Sequence, residues 1–248
     1  MNTQIIILAA GQGTRMGHSE LPKVLVPLAN KPIIFHLLEE IKKLGESIRL
    51  IIIVGYKYQL VQSMLGPNYL YAFQEGQFGT GHAVAAAKNK VTTDNVLVLF
   101  GDMPFIKAKS INTLVSKHES GGSILSMFTA NVPNFANEFA TFNSFGRIIR
   151  NQDNKISEIV EFVDATEEQR GIKEVNPSIY IFKTQWLWDN IDKIQKNKHG
   201  EYYLTDIVSI ARRQKVKINS LTINPLEVFG INTPEHLEQA EKFISGYL

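Results

Sequence analysis

The chain has 248 residues, no cysteine and a formal net charge of +2. The missing cysteines exclude disulfides and thiolate metal sites, which fits a reducing, cytoplasmic setting. No apolar run approaches ~18 residues, so no membrane span is expected, and the start lacks a basic leader with a cleavage pattern.

Short β-rich runs alternate with helical patterns through the first half. Ile5–Leu8 reads as a strand and Pro32–Leu44 as a helix, with Ile33, Ile34, Leu37, Leu38, Ile41 and Leu44 on one face. Leu50–Val54 is the next strand, Tyr58–Leu65 a helix, Tyr69–Phe73 a strand, Thr80–Asn89 a helix and Asn95–Phe100 a strongly apolar strand. This rhythm predicts an α/β fold: a parallel sheet with helices on both faces. Ligands of such sheets sit beyond the carboxyl ends of the strands. The ends of the first, third and fourth strands are therefore expected to converge.

The second half is more irregular. A helix near Ser110–His118 leads to a strand at Ser123–Ala130. Two further strands flank the polar turn Asn151-Gln152-Asp153-Asn154, which suits a hairpin. Ala165–Gly171 reads as helical, Glu174–Lys183 as a strand and Gln185–Ile194 as a helix. Gly200–Asp206 opens another helix, Val216–Ile223 is a strand, and Pro234–Ser245 is the closing helix with Thr233 as N-cap. The basic cluster Arg212–Lys217 is read as a solvated helix end; it makes no extended basic face, and nucleic acid is not expected as a partner. The expected organisation is one domain over residues 1–248, with a nucleotide-binding half (1–120) and a second half (121–248) forming a lobe over the sheet edge.

The stretch L-A-A-G-Q-G-T-R-M-G-H-S-E-L-P-K, Leu8 to Lys23, is the chemical centre of the sequence. Gly11, Gly13 and Gly17 let backbone N–H groups approach an anion, and two cations stand beside them. Arg15 can fork onto two phosphate oxygens, while Lys23 supplies a compact charge. The dinucleotide fingerprint is only half met, since Met16 occupies its third glycine position and no acidic residue ends the second strand. The P-loop pattern is not met either. The remaining reading is a triphosphate-binding loop, against the plainer possibility of a tight turn.

Asp102, in F-G-D-M-P, follows the fourth strand. A carboxylate there suits Mg²⁺, which takes oxygen ligands and is commonly held by one or two protein groups plus substrate phosphates. Asn232, in F-G-I-N-T-P, is a candidate second ligand, with helix capping as the alternative. Gln74 ends the third strand and can donate and accept together, so it could pair with a pyrimidine edge. Thr80 starts a helix with free N–H groups. His82 reads as a packing or capping residue.

Together with Q-F-G-T-G-H-A, F-G-R-I, I-V-E, E-V-N, G-E-Y-Y-L-T-D and G-I-N, these motifs run through nearly the whole chain in order. They resemble the sugar-1-phosphate nucleotidylyltransferases, and most closely the uridylyltransferase domain of the bifunctional N-acetylglucosamine-1-phosphate uridyltransferase family. The resemblance implies a nucleotide-diphospho-sugar transferase fold, with a Rossmann-like, mixed, mostly parallel sheet and helices on both faces. It also implies Mg²⁺-dependent transfer of UMP from UTP to a sugar 1-phosphate, releasing pyrophosphate. Leu8, Ala9, Ala10, Gly11, Gln74, Gly79 and Thr80 would bind the nucleotide, and Arg15 and Lys23 the phosphates. Asp102 and Asn232 would hold the metal, and Gly146, Glu161 and Asn176 would contact the sugar.

The sequence departs from the family at Pro177-Ser178, where Thr-Gly is usual, and at Phe100 and Phe145, where tyrosines are usual. Lost donors in a pocket change which substrates it rejects. The acetamido preference is therefore open, and so is the pathway, whether envelope precursor synthesis or surface glycan assembly. No hexapeptide period follows, so a β-helix acetyltransferase domain is not expected in this chain. Two rivals remain: transfer of another nucleotide or to another sugar phosphate such as glucose 1-phosphate, and a non-catalytic nucleotide-sugar sensor. Nothing in the sequence fixes an oligomeric state.

Overall fold

A computed structural model describes residues 2–17, 20–45 and 48–246; His18 and Ser19 of the glycine-rich stretch lie outside the described residues. The chain opens with β1 (Thr3–Leu8), passes through a short ribbon of β2 (Pro27–Leu28) and β3 (Lys31–Pro32), and enters α1 (Ile33–Lys42). There follow β4 (Leu50–Val54), α2 (Tyr58–Leu65), β5 (Leu70–Phe73), α3 (Thr80–Ala85), β6 (Asn95–Phe100) and α4 (Ala108–Ser120). The second half comprises β7 (Leu125–Asn131), β8 (Gly146–Arg150), β9 (Ile156–Val160), α5 (Glu167–Arg170), β10 (Glu174–Asn176) and β11 (Tyr180–Lys183). It continues with α6 (Thr184–Asn190), α7 (Asp206–Arg213), β12 (Ile218–Ile223) and α8 (Pro234–Ser245).

All strands except β2 and β3 join one sheet of order β5-β4-β1-β6-β11-β7-β10-β8-β9, with β12 also on β7. β5, β4, β1 and β6 are parallel neighbours, and β12 is parallel to β7. β11, β10 and β9 run against their neighbours. The sheet is thus mixed and mostly parallel, as the family resemblance implies; the parallel pairing expected from the sequence rhythm holds for β5, β4, β1 and β6. The chain leaves β1 toward β4 and β5, then crosses back to β6 on the other side of β1. That reversal lies between β1 and β6, whose register ends at Leu8–Phe100. A crevice forms outside the carboxyl ends at such a switch point.

The isoleucine run of β1 is buried on both faces, as a central parallel strand requires. Ile5 and Ile7 join the layer with α1, α4 and α8; Ile6 joins the opposite layer with α3, α6 and α7. In α1, Ile33, Ile34, Leu37, Leu38 and Ile41 are buried at helical spacing, as expected. β8 and β9 form the expected hairpin around the polar turn. The lobe expected of the second half is built on the continuation of the same sheet.

Three sequence expectations need correction. The strand read over Glu174–Lys183 is split, because Pro177 has no N–H to donate and Ser178 takes a left-handed backbone at φ 59°. The helix read as opening at Gly200–Asp206 begins only at Asp206; Gly200 is left-handed, and the backbone of Tyr202 is tied to Phe78 and Gly81. The helix read over Thr80–Asn89 ends at Ala85, after which Ala87 and Lys90 make tighter i→i−3 bonds.

Candidate active site

The chain leaves β1 at Leu8, whose carbonyl accepts from the N–H of Gly101 at 3.0 Å. Ala9 N–H donates to Ile53 carbonyl and Ala10 carbonyl accepts from Tyr56 N–H, so the start of the loop is pinned between β4 and β6. The turn Thr14–Met16 then buries Met16 and leaves Arg15 exposed. Gly13 is left-handed at φ 68°, and a Cβ there would stand 2.6 Å from Lys23 Cβ. Only glycine lets the loop fold back so closely onto Lys23.

Lys23 is the junction of the site. Its ammonium donates to Asp102 Oδ2 and, at 2.7 Å, to Asn232 Oδ1. Asp102 is 9 % exposed, and its Oδ1 is buried without a hydrogen-bond partner among the described residues. Asp102 also accepts, through its carbonyl, from Ile231 N–H at 3.0 Å, which fixes the loop carrying Asn232 against the end of β6. Thr233 caps α8 through His236 N–H at 3.3 Å, so the capping task at Asn-Thr-Pro falls to Thr233 and leaves the Asn232 amide free to face Lys23. Burial, reinforced by the nearby charges of Arg15 and Lys23, holds His236 below the ordinary histidine range.

Beside this cluster opens a cleft of about 320 Å³. Leu8, Ala9, Ala10, Gly11, Lys23, Gln74, Gly79, Thr80, Asp102 and Asn232 all line it. The three strand ends therefore converge on one cavity. Gln74 Nε2 donates to Gly79 carbonyl at 3.1 Å and lies 3.2 Å from His82 Nδ1. A carbonyl accepts only, so the Gln74 amide is oriented with Nε2 engaged, leaving Oε1 as an acceptor. His82 packs between Phe78 and Tyr202, as its sequence reading had it. Gly79, at φ 97°, could not carry a Cβ, which would meet Tyr202 carbonyl at 2.6 Å. Thr80 Oγ1 accepts from Leu204 N–H at 3.0 Å.

Arg15, Gly146, Glu161 and Asn176 do not line the cleft. The last three gather elsewhere: Asn176 pairs with Gly146 across β10 and β8, and a Cβ on Gly146 would stand 3.4 Å from Glu161 Oε2. Burial first, then the charges of Asp206 and Asp164, pushes the Glu161 carboxyl up. Tyr203 lines the cleft, and burial is the main cause that raises its phenol. Next to Gly146, Arg147 is wholly buried, with no carboxylate partner among the described residues. It donates to the carbonyls of Phe145, Asn143 and Arg170 and stacks over Phe135 at 4.4 Å and Phe162 at 5.3 Å. One guanidinium thus ties the segment before Gly146 to the segment after Glu161.

A family model described as the MobA-like NTP transferase domain matches residues 5–212. The chain belongs to the MobA-like NTP transferase domain family. It is 41 % identical over 242 residues to a bifunctional protein GlmU of Caldicellulosiruptor saccharolyticus, covering 96 % of this chain and 50 % of that one. It is 38 % identical over 244 residues to one of Geobacter metallireducens, with 96 % and 49 % coverage. The chain therefore spans about half the length of the curated relatives it matches. A Bacillus anthracis protein described as a glucose-1-phosphate thymidylyltransferase superposes with a TM-score of 0.77 at 21 % identity, over 97 % of this chain and 94 % of that one. A CMP:2-keto-3-deoxy-manno-octonic acid synthetase superposes with 0.68 at 16 %, over 99 % of each chain. At those identities the likeness concerns the fold, and it is the nucleotide-sugar transferase fold expected from the sequence. As a MobA-like NTP transferase domain the chain is a nucleotidyltransferase.

Phe100, noted from the sequence as a departure from the family, lines the cleft of this MobA-like domain; Val24, Gln77, Ala83, Glu201 and Tyr203 also line it and carry no role in the sequence reading. Gln77 Nε2 donates to Ala10 carbonyl at 3.3 Å. Each lies inside or beside a motif already quoted, and that adjacency was the available signal. Glu201 and Tyr203 reach the cleft because the Tyr202 backbone docks on Phe78 and Gly81 at 2.7 and 2.8 Å, a pairing that no local pattern reveals.

Proposed function

We propose that the chain transfers UMP from UTP to a sugar 1-phosphate, with N-acetylglucosamine 1-phosphate as the leading acceptor, giving a UDP-sugar and pyrophosphate. The reading rests above all on Lys23, Asp102 and Asn232 meeting beside the glycine loop at the sheet's switch point. Gln74 supports a uracil or thymine base: with Nε2 engaged, Oε1 is suited to a ring N–H, which those bases carry at N3 and cytosine does not. The names of the relatives add sequence likeness but not a substrate.

Asp102 and Asn232 offer a carboxylate and an amide oxygen, with Asp102 Oδ1 buried and unpartnered among the described residues. That donor set fits Mg²⁺. When bound, the ion supplies positive charge against the triphosphate. The acceptor is already an anion, so a phosphate oxygen of the sugar phosphate attacks the α-phosphorus without a general base. The bond to the β-phosphate oxygen breaks, and pyrophosphate leaves. The task of the chain is to bring two anions into line and offset their charge. Lys23 serves the phosphates in the cleft, Arg15 supplies charge from the exposed turn, and the glycine loop's N–H groups face the anion.

The test is pyrophosphate release from UTP with Mg²⁺ across N-acetylglucosamine, glucose and galactosamine 1-phosphates. Turnover with at least one is expected, reduced ~10²-fold or more in Asp102→Ala, the scale for losing one transition-state stabiliser. Binding of a UDP-sugar with no turnover would favour a sensor instead.

A further inference from the structure

Between Lys57 and Glu75 the chain carries no charged side chain and no histidine, although 20 % of all residues are charged. This run forms α2 and β5, the strand at one end of the sheet. Leu60 and Met64 on α2 are 43 % and 54 % exposed, and Leu70 and Phe73 on β5 are 42 % and 51 % exposed. They make up half of the large apolar side chains exposed among the described residues.

Among the described residues β5 pairs with β4 alone. Gln74 N–H turns inward to the Val54 carbonyl at 2.9 Å, so strand alternation turns the N–H groups of Tyr71 and Phe73 outward. Edge strands are ordinarily protected by charge, a bulge or a cover. The opposite edge follows that rule: β9 carries exposed Glu158, and Arg212 of α7 donates to the Ser157 carbonyl. β5 carries no such charge. Beside it, Val54, Tyr58, Gln62, Tyr71 and Phe73 line a hollow of about 220 Å³ without a charged group.

The missing charge points to one kind of occupant. A twofold interface brings the same patch of both copies together, so groups near the axis meet their own kind. Like charges facing each other across paired strands are destabilising, and this strand has none to oppose itself. A partner recognised by charge would find nothing to read. We propose that β5 joins a second copy of this chain by antiparallel pairing, which carries one sheet through both copies. The twofold keeps each face of the sheet on its own side, and a register centred on Tyr71 leaves Glu75 beyond the paired strands. Leu70 then stands opposite the partner's Ala72 and diagonal to the partner's Leu70, at roughly 7–8 Å.

Sedimentation equilibrium across the micromolar range reads this as mass, which does not depend on turnover. The wild type is expected to show a monomer–dimer equilibrium. Leu70→Lys and Leu70→Glu each set a charge against its own copy, and by symmetry each lost contact is lost twice. Either variant is expected to raise the dissociation constant ~10-fold or more. An equimolar mixture of the two is expected to restore the dimer, because lysine then faces glutamate, and that recovery also shows that both variants fold. A wild type that stays monomeric, a Leu70→Lys protein that dimerises like the wild type, or a mixture as monomeric as its components would each overturn the proposal.

Discussion

At the scale of single residues, the position of the Lys23 ammonium shapes the rest of the site. It lies against Asp102 Oδ2 and Asn232 Oδ1, the two groups proposed to hold a divalent ion. Leaving Asp102 Oδ1 buried and unpartnered costs about 1–3 kcal/mol, a cost that a cation in the site would relieve. Two cations drawn to the same oxygens repel, by on the order of 1 kcal/mol even at bulk dielectric. Lysine and metal should therefore compete until a triphosphate draws the lysine away. Lys23→Met is expected to bind Mn²⁺ about fivefold more tightly in the absence of nucleotide, which is ~1 kcal/mol. The same variant should lose ~10²-fold or more in turnover. Electron paramagnetic resonance titration of Mn²⁺ reads the first effect independently of activity. Weaker Mn²⁺ binding in the variant would show that the lysine organises the oxygens for the ion and does not contest them.

At the scale of elements, the packing of α4 on β7 places a titratable group in the core. His118 is fully buried, its Nδ1 is 2.9 Å from Ser126 Oγ, and its Nε2 has no partner among the described residues. Burial, with Lys183 adding to it and Glu119 opposing, pulls its pKa from 6.5 down to about 4. The unfolded chain then binds a proton that the folded chain refuses between those values, so stability must rise with pH across that window and be lost as pH falls through it. The span corresponds to at most about 3 kcal/mol. Urea denaturation of the wild type from about pH 4 to 6.5 should show this slope, and His118→Leu should flatten it. An unchanged slope in the variant would assign the pH dependence to other groups.

The same elements show what the sequence made legible. Apolar periodicity located β1, α1, β4 and β6, because those segments are set by burial on a regular lattice of contacts. It failed at Pro177-Ser178, where backbone chemistry inside an apolar run breaks the strand. It also failed at Gly200–Asp206, where docking on a segment more than a hundred residues away overrides local helix preference. The cleft was legible where glycine, lysine and aspartate mark strand ends. Arg147 was not, because a buried guanidinium that is stacked on Phe135 and Phe162 and bonded to backbone carbonyls carries no signal in the local sequence pattern.

At the scale of the whole molecule, the two halves share one sheet. β6 from the first half pairs with β11 from the second, and β11 pairs in turn with β7. Lys23 meets Asn232 across 209 positions of sequence. Phe105 packs against Phe229 and Phe243, so the C-terminal helix covers part of the first half's core. A fragment of residues 1–120 would leave the β6 edge open over its whole length and uncover that apolar layer. Such an edge and patch favour association over folding. The full chain is expected to unfold in a single transition by calorimetry, shifted upward by Mg²⁺ and UTP, by ~2.7 kcal/mol at a hundred times the dissociation constant. The 1–120 fragment is expected to show no cooperative transition and to bind a hydrophobic dye. A sharp transition in the fragment, or two resolved transitions in the full chain with only the first moved by nucleotide, would mean that the nucleotide-binding half folds by itself and that the continuous sheet is not what makes the site.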